Sequence, residues 1–489
     1  MNKSSKEYEF LADDPNVKVM PIMVSLIIGA FFAILNETLL NIALTTLMNE
    51  FSISVAQVQW MATGFMLMMG VVVPISAVLL QWFTTRQMFL STMFIFTFGT
   101  AICAIAPNYT ILLTGRFIQA IGTGLLIPII FNTFLFIYPP HRRGAIMGMV
   151  GFVIMFAPAI GPTLSGVIVH YLGWRFLFIT VIPFAAFSIL FAYKYLQNVS
   201  EVTKPKIDWL SIFLSTLGFG GVVFGFSSVG DKEAAFLDPT VYVSILVGTI
   251  SLILFCIRQL KLEEPVLDIR VFRYPMFTLG VLFFFIIVMA MFSSEIILPI
   301  YMQGPLALSA ATAGLVLLPG SLLNGLLSPF MGHLFDKIGP KKMMIPGSIF
   351  LCVTMFIFSR LDMETPVWVI GACYIVLMIS ISAMLMPAET NGLNQLPKKL
   401  YPHGTAIVST LQPVAGAIGV SAFISIMSAR QKSVLSKESH PNDPYTINEA
   451  LVSGVELVYF ISLGFAIVAL VMSFFVYRAT PHDKIRVNR

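Results

Sequence analysis

Stretches of about 20 apolar residues, each closed by proline, glycine or a cluster of charges, recur along nearly the whole chain. Each is long enough to cross a ~30 Å hydrocarbon core as a helix, which satisfies its own backbone hydrogen bonds where no water is present. The pattern predicts fourteen spans, at 20–47, 57–81, 88–106, 110–137, 145–169, 175–196, 208–228, 240–260, 275–300, 308–330, 343–361, 366–387, 404–428 and 454–477. An even number puts both chain ends on one side. Most of the 29 lysines and arginines fall in segments on that side, among them Arg142, Arg143, Lys341, Lys342, Lys398 and Lys399. Such a bias predicts cytoplasmic termini.

Composition changes this picture little. With 57% hydrophobic and 11% charged residues and a mean hydropathy of +0.89, the chain is excluded from the soluble globular class. The net charge of +5 follows from the loop bias and implies no nucleic-acid partner. Residues 1–18 are polar, without the apolar core of a signal peptide. Cys103, Cys256, Cys352 and Cys373 all lie within apolar runs, which indicates packing and neither disulfides nor a metal site. There is no HExxH, GxSxG or Gly-rich nucleotide loop, so no enzyme, cofactor or metal is expected, and uphill transport would draw on an ion gradient.

An internal repeat appears at an offset of 255 residues, where PISAVLLQWFTTRQ from Pro74 aligns with PFMGHLFDKIGPKK from Pro329. PHRRGAI from Pro140 and PHGTAI from Pro402 form a second echo. The organisation predicted is an all-α membrane protein with a cytoplasmic tail at 1–19, a six-helix bundle at 20–196, a linker with two extra spans at 197–274, a second six-helix bundle at 275–478 and a basic tail at 479–489. Repeated halves point to alternating access around a site between them.

The stretch LLTGRFIQAIGTGLLIP, from Leu112 to Pro128, places Arg116 within an apolar span. An ionisable side chain there faces a bundle interior and needs a partner, unless it snorkels to the headgroups. Gln119 shares its helix face, and Gly115, Gly122 and Gly124 allow a neighbouring helix to approach. In GHLFDKIGPKK, Gly332 allows close helix contact, Gly339 supports a sharp turn, and Asp336 suits a helix N-terminus. In APAIGPTLSG of the fifth span, Pro162 removes a helix hydrogen bond and predicts a bend, with Gly161 and Gly166 as packing positions.

Together these stretches, in this order, resemble the major facilitator superfamily, and more closely its fourteen-helix drug:proton antiporters, which include multidrug and lincomycin-resistance exporters of Gram-positive bacteria. The resemblance covers about 20–478. It implies a gate at Gly332, Leu334, Asp336 and Gly339, whose counterpart in the first half has Ala77, Gln81 and Thr84 instead. It implies proton transfer linked to Arg116 in the motif Gly115, Arg116 and Gln119. Gly161, Pro162 and Gly166 match the motif of proton-driven exporters, with Ser165 in place of a glycine. In the first span the family pattern Leu-Asp-x-Thr stands here as Leu35, Asn36, Glu37 and Thr38, so the carboxylate is displaced by one position, about 100° around the helix.

Glu37 lies roughly 26 Å along the first span at ~1.5 Å per residue, at a depth from which it and Arg116 can approach. It reads as a coupling or substrate carboxylate, or as a structural partner of Arg116; desolvation and a nearby cation act on its protonation in opposite senses. Asn41 shares its face and joins Gln119 and Glu295 as candidate substrate ligands, Glu295 being alternatively a solvated helix end. Glu389 and Glu456 read as interfacial charges, Asp208 as a helix cap, Arg175 as a topological charge, and 429–453 as an outer linker. The expectation is a monomeric exporter of a Gram-positive plasma membrane that moves apolar or cationic drugs outward in exchange for protons. The alternative is a proton-coupled exporter of a metabolite or lipid. Protons, small molecules and membrane lipid are its partners.

Overall fold

The computed structural model describes residues 10–13, 19–53, 55–199, 202–228, 238–438 and 443–479. Most of the two expected tails therefore lies outside the described residues. Sixteen α-helices run in the order α1 (Val19–Phe51), α2 (Val55–Val72), α3 (Ser76–Trp82), α4 (Thr85–Ala104), α5 (Tyr109–Ile137), α6 (Arg143–Leu172), α7 (Arg175–Ile179) and α8 (Val181–Tyr195). There follow α9 (Trp209–Ser227), α10 (Pro239–Lys261), α11 (Pro275–Gln303), α12 (Ala310–Ile338), α13 (Pro340–Phe358), α14 (Val367–Gln395), α15 (Tyr401–Leu435) and α16 (Pro444–Phe475). Among the described residues, fourteen helical segments are long and apolar enough to cross a membrane. Two of them are composite. A 3-10 turn at Val73–Ile75, with Pro74 in it, joins α2 to α3, and Thr180 separates α7 from α8.

Several helices outrun the apolar windows that predicted them, because a helix goes on wherever water or a neighbour meets its polar side chains. The expected linker at 429–453 is largely helical: α15 runs to Leu435 and α16 begins at Pro444. Arg430 Nε donates to Ser453 Oγ across the two at 3.0 Å. Likewise α14 continues eight residues past the predicted end at Pro387, as far as Gln395.

Helices α1, α2, α4, α5, α6 and α8 pack on one another, as do α11 to α16; α9 and α10 pair and lean on α2 and α15. The two groups meet through α6 against α12 and through α15 against α2 and α3. These crossings are counterparts under the repeat, since they join the fifth span to the tenth and the second to the thirteenth. At the first crossing backbones touch. A Cβ on Gly332 would fall well inside contact distance of the Gly144 carbonyl, and one on Gly148 would meet Ser328 O at 2.5 Å.

Residues 10–13, Arg142, Asp336 and Arg478 come together at one end of the bundle: Arg142 lies 4.0 Å from Asp13, and Arg478 donates to Asp336 O at 2.8 Å. We call this the terminal side. At the other end, Arg175 does more than set topology, as it pairs with Glu50 at 2.8 Å and donates to Ala106 O at 3.2 Å, tying three connections together.

Asp208 precedes α9 but makes no side-chain cap. Arg258 of α10 takes its carboxylate in two hydrogen bonds, at 2.6 and 2.9 Å, and so clamps the inserted pair. That guanidinium, with help from the Ser211 hydroxyl, holds the Asp208 carboxyl down at about 2, below its usual 3.8. A depressed folded value contributes stability above pH 3.8 that is lost as pH falls towards 2. Asp208→Asn is therefore expected to lower the melting temperature of the detergent-solubilised protein by about 2 °C at pH 7. The deficit should shrink at pH 3, and an equal deficit at both pH values would remove the clamp from the account.

Candidate functional site

Helix α5 begins with Asn108, whose side chain accepts from Ile111 N. It then lies tight on α4, where a Cβ on Gly115 would meet Cys103 Sγ at 2.6 Å and one on Gly122 the Phe96 nitrogen at 2.8 Å. This contact fixes the rotation of α5 and turns Arg116 inward, to 1% exposure, which rules out snorkelling. One terminal nitrogen donates to Gln119 Oε1 at 3.2 Å and to Asn36 Oδ1 at 3.4 Å, and the guanidinium lies 4.2 Å from the Phe65 ring centre. Gln119 Nε2 passes the chain on to Thr100 Oγ1 at 2.8 Å. Arg116 Nε and Asn36 Nδ2 are left without partners.

Glu37 is thus not the group that grips Arg116. It lies within electrostatic reach of the guanidinium, yet among the described residues it forms no ion pair with it. The one-position displacement explains this geometry: Asn36 occupies the helix direction that faces α5, and Glu37 points about 100° away. Its surroundings come from α6. A Cβ on Gly161 would overlap the Thr38 hydroxyl, and Ser165, fully buried, donates to the Leu39 carbonyl. Ser165, which reads as a departure in sequence, therefore binds α6 to α1 beside Glu37. Nothing lies within 4 Å of a Cβ on Gly166. The α6 backbone stays helical through this motif. The side chains of Pro162 and Asn41 lie outside the described residues.

Glu295 of α11 is exposed, within electrostatic reach of the Tyr374 phenol. No described contact joins it to the Arg116 cluster. At the terminal side, Asp336 accepts Gly144 N at 2.9 Å and Ala145 N at 2.8 Å, taking two free amides of the first turn of α6. Gly339 turns the chain between α12 and α13 at φ 81°. The repeat partner of Asp336, Gln81, reaches the opposite crossing, where its Nε2 meets His403 Nε2 at 3.2 Å. Arg143, read as a loop charge, is buried completely and donates to Asn394 Oδ1 at 2.9 Å and Tyr401 OH at 3.0 Å. The hydrogen bonds of Asp336, Gln81 and Arg143 thus join the two helix groups at the terminal side.

The reading of Glu389 as an interfacial charge did not foresee its burial: it is 4% exposed, because α14 continues past Pro387 and neighbouring helices cover it. It lines a pocket between α5 and α6 on one side and α11, α14 and α15 on the other. The signal available was the run Glu389, Thr390, Asn391, Asn394 and Gln395: too polar for lipid, too close to an apolar run for a free loop.

A family model described as Major Facilitator Superfamily matches residues 26–420. The chain belongs to this superfamily. It is a multi-pass membrane transporter and not an enzyme. It is 51% identical over 94% of its length to the lincomycin resistance protein LmrB of Bacillus subtilis, 96% of which is covered. With the protein of the same name from Listeria monocytogenes it shares 50% identity over 95% of the chain and 98% of the relative. The structure of the proton:xylose symporter XylE superposes with a TM-score of 0.61 at 14% identity, covering 94% of this chain and 95% of the other, and so shares the superfamily fold.

In this superfamily member the two glycines of the fifth-span motif meet different surroundings, and this separates their roles. Gly161→Ala should overpack α6 against Thr38 and destabilise the protein by about 1–3 kcal/mol. Gly166→Ala should be neutral. Thermal unfolding of the two variants tests this, and equal effects would contradict the close approach at Gly161.

Proposed function

We propose that the chain is a secondary active multidrug exporter of a Gram-positive cell membrane, moving apolar or weakly basic compounds outward in exchange for protons. The observation that carries the reading is a half-buried carboxyl, Glu37, set one residue from the partner of a buried arginine and left without an ion pair of its own. The similarity to lincomycin resistance proteins along almost the full length supports drugs as the cargo. In this reading Asn36 and Gln119 hold the Arg116 charge in place, and Glu37 takes and releases the proton as water access to it changes.

With the termini cytoplasmic, the seal of Asp336, Arg143 and His403 closes the cytoplasmic side. Transport then requires that α6 part from α12 and α15 from α3, while the helices on the far side close. Parting them breaks the two amide bonds of the half-buried Asp336 and the buried bonds of Arg143 to Asn394 and Tyr401, so these contacts set part of the barrier to opening.

Two outcomes are expected. In everted vesicles carrying an imposed proton gradient, addition of lincomycin or other members of a mixed drug panel should dissipate the gradient, and Glu37→Gln should abolish the response in a folded protein. Undiminished exchange in Glu37→Gln would remove Glu37 from coupling; no exchange with any drug would favour a metabolite or lipid cargo. For the seal, Asp336→Asn should remove about 1–2 kcal/mol from the closed state. A cysteine at Ser409, in a background without the four native cysteines, should then be labelled faster by a maleimide from the terminal side. Unchanged labelling would show that Asp336 does not hold the gate.

A further inference from the structure

The pocket around Glu389 contains groups that neither the Arg116 cluster nor the seal uses. It is lined by Ile127 and Phe131 of α5, Ile154 and Met155 of α6, Phe284 and Met291 of α11, and Ser409 and Gln412 of α15, with Glu389 itself on α14. Both helix groups contribute to it. The walls are aromatic, aliphatic and thioether, surfaces that adapt to ligands of varied shape. The polar groups belong to α14 and α15. Glu389 Oε1 and Ser409 Oγ are buried and have no hydrogen-bond partner, although their side chains are only 4% and 8% exposed.

A buried carboxyl without partners costs several kcal/mol if it is ionised. Other charged groups set among the helices have partners: Asp336 has two amides, Arg116 has Asn36, Gln119 and Phe65, and Arg143 has Asn394 and Tyr401. No cation of the described residues pairs with Glu389. The free volume between these walls is about 10 Å³, room for about one water, so an organic ligand enters only as the two helix groups part; a ligand carrying a positive charge then supplies the missing partner while its hydrocarbon frame meets the walls. A neutral ligand gains from the walls alone.

We propose that Glu389 is the residue that recognises the protonated nitrogen of lipophilic basic substrates, with Ser409 as a second polar contact, at a site separate from the proton-coupling carboxyl Glu37. The inference rests on the exporter reading for its biological sense, but the binding claim stands or falls alone. It divides the work between the halves. Charge on the substrate is read by α14 and α15, and the proton is carried on α1. Cationic and neutral cargo then use the same pathway, and only the former depends on Glu389.

The experiment is equilibrium binding to the purified full chain in lipid nanodiscs, using two fluorescent probes: ethidium, a lipophilic monocation, and N-phenyl-1-naphthylamine, an uncharged lipophile. Glu389→Gln should weaken ethidium binding about tenfold or more. It should leave binding of the neutral probe within a factor of about two, which also shows that the pocket has folded. Glu389→Asp should restore most of the ethidium affinity. Unchanged ethidium binding in Glu389→Gln would overturn the proposal, as would equal loss of both probes that Glu389→Asp does not restore. If ethidium binds as expected while native vesicles show no drug-driven proton movement, the exporter reading fails and the pocket assignment survives.

Discussion

Hydrocarbon offers no hydrogen bonds, so every polar group carried into it must find its partner within the protein. The structure is organised by how these groups are satisfied. Arg116 lies between a carboxamide on its own helix, another on α1 and an aromatic face. Arg143 is held by main-chain carbonyls and by side chains from the other helix group. Asp336 is satisfied by backbone amides at a helix N-terminus, where the peptide dipoles also favour its charge. Against this background Glu37 and Glu389 stand out among the described residues, since no such partner is shown for either.

The frame depends on close backbone approach. Gly144 and Gly148 on α6 meet Gly332 and Ser328 on α12 at distances no side chain permits, and this contact positions the Asp336 carboxylate on the first turn of α6. The related crossing of α15 with α2 and α3 carries a different chemistry. There a neutral pair, Gln81 and His403, stands in place of carboxylate and amides. Repetition has preserved the placement of the two crossings while their polar contents diverged. One half of the seal is therefore charge-assisted and the other is not, so the two crossings respond differently to the loss of a single group.

The same economy appears beside Glu37. Thr38 and Leu39 are both engaged by α6, through Gly161 and Ser165, so the turn of α1 that carries Glu37 is gripped by the helix whose first turn binds Asp336. The surroundings of Glu37 and the terminal-side contacts are thereby joined through one continuous helix.

The number and type of elements were legible in the chain, because the length of an apolar run and the charges that end it are local properties fixed by the bilayer. So were the burial of Arg116 and the place of Asp336 at a helix N-terminus, since a buried arginine needs a partner and glycine-rich segments announce close contact. Helix ends were less legible. Pro387 reads as a terminus, but α14 passes it because neighbouring helices shelter the polar residues that follow, and this hid Glu389. The choice of Asn36 over Glu37 as the partner of Arg116 depended on the rotation of α1 against α5, which sequence spacing constrains but does not set. The chain by itself determined which segments cross the membrane and which groups would be costly there. Only the tertiary structure decided which groups meet, because partners such as Gly144 and Asp336, or Arg143 and Asn394, lie hundreds of residues apart and are joined by packing between helices.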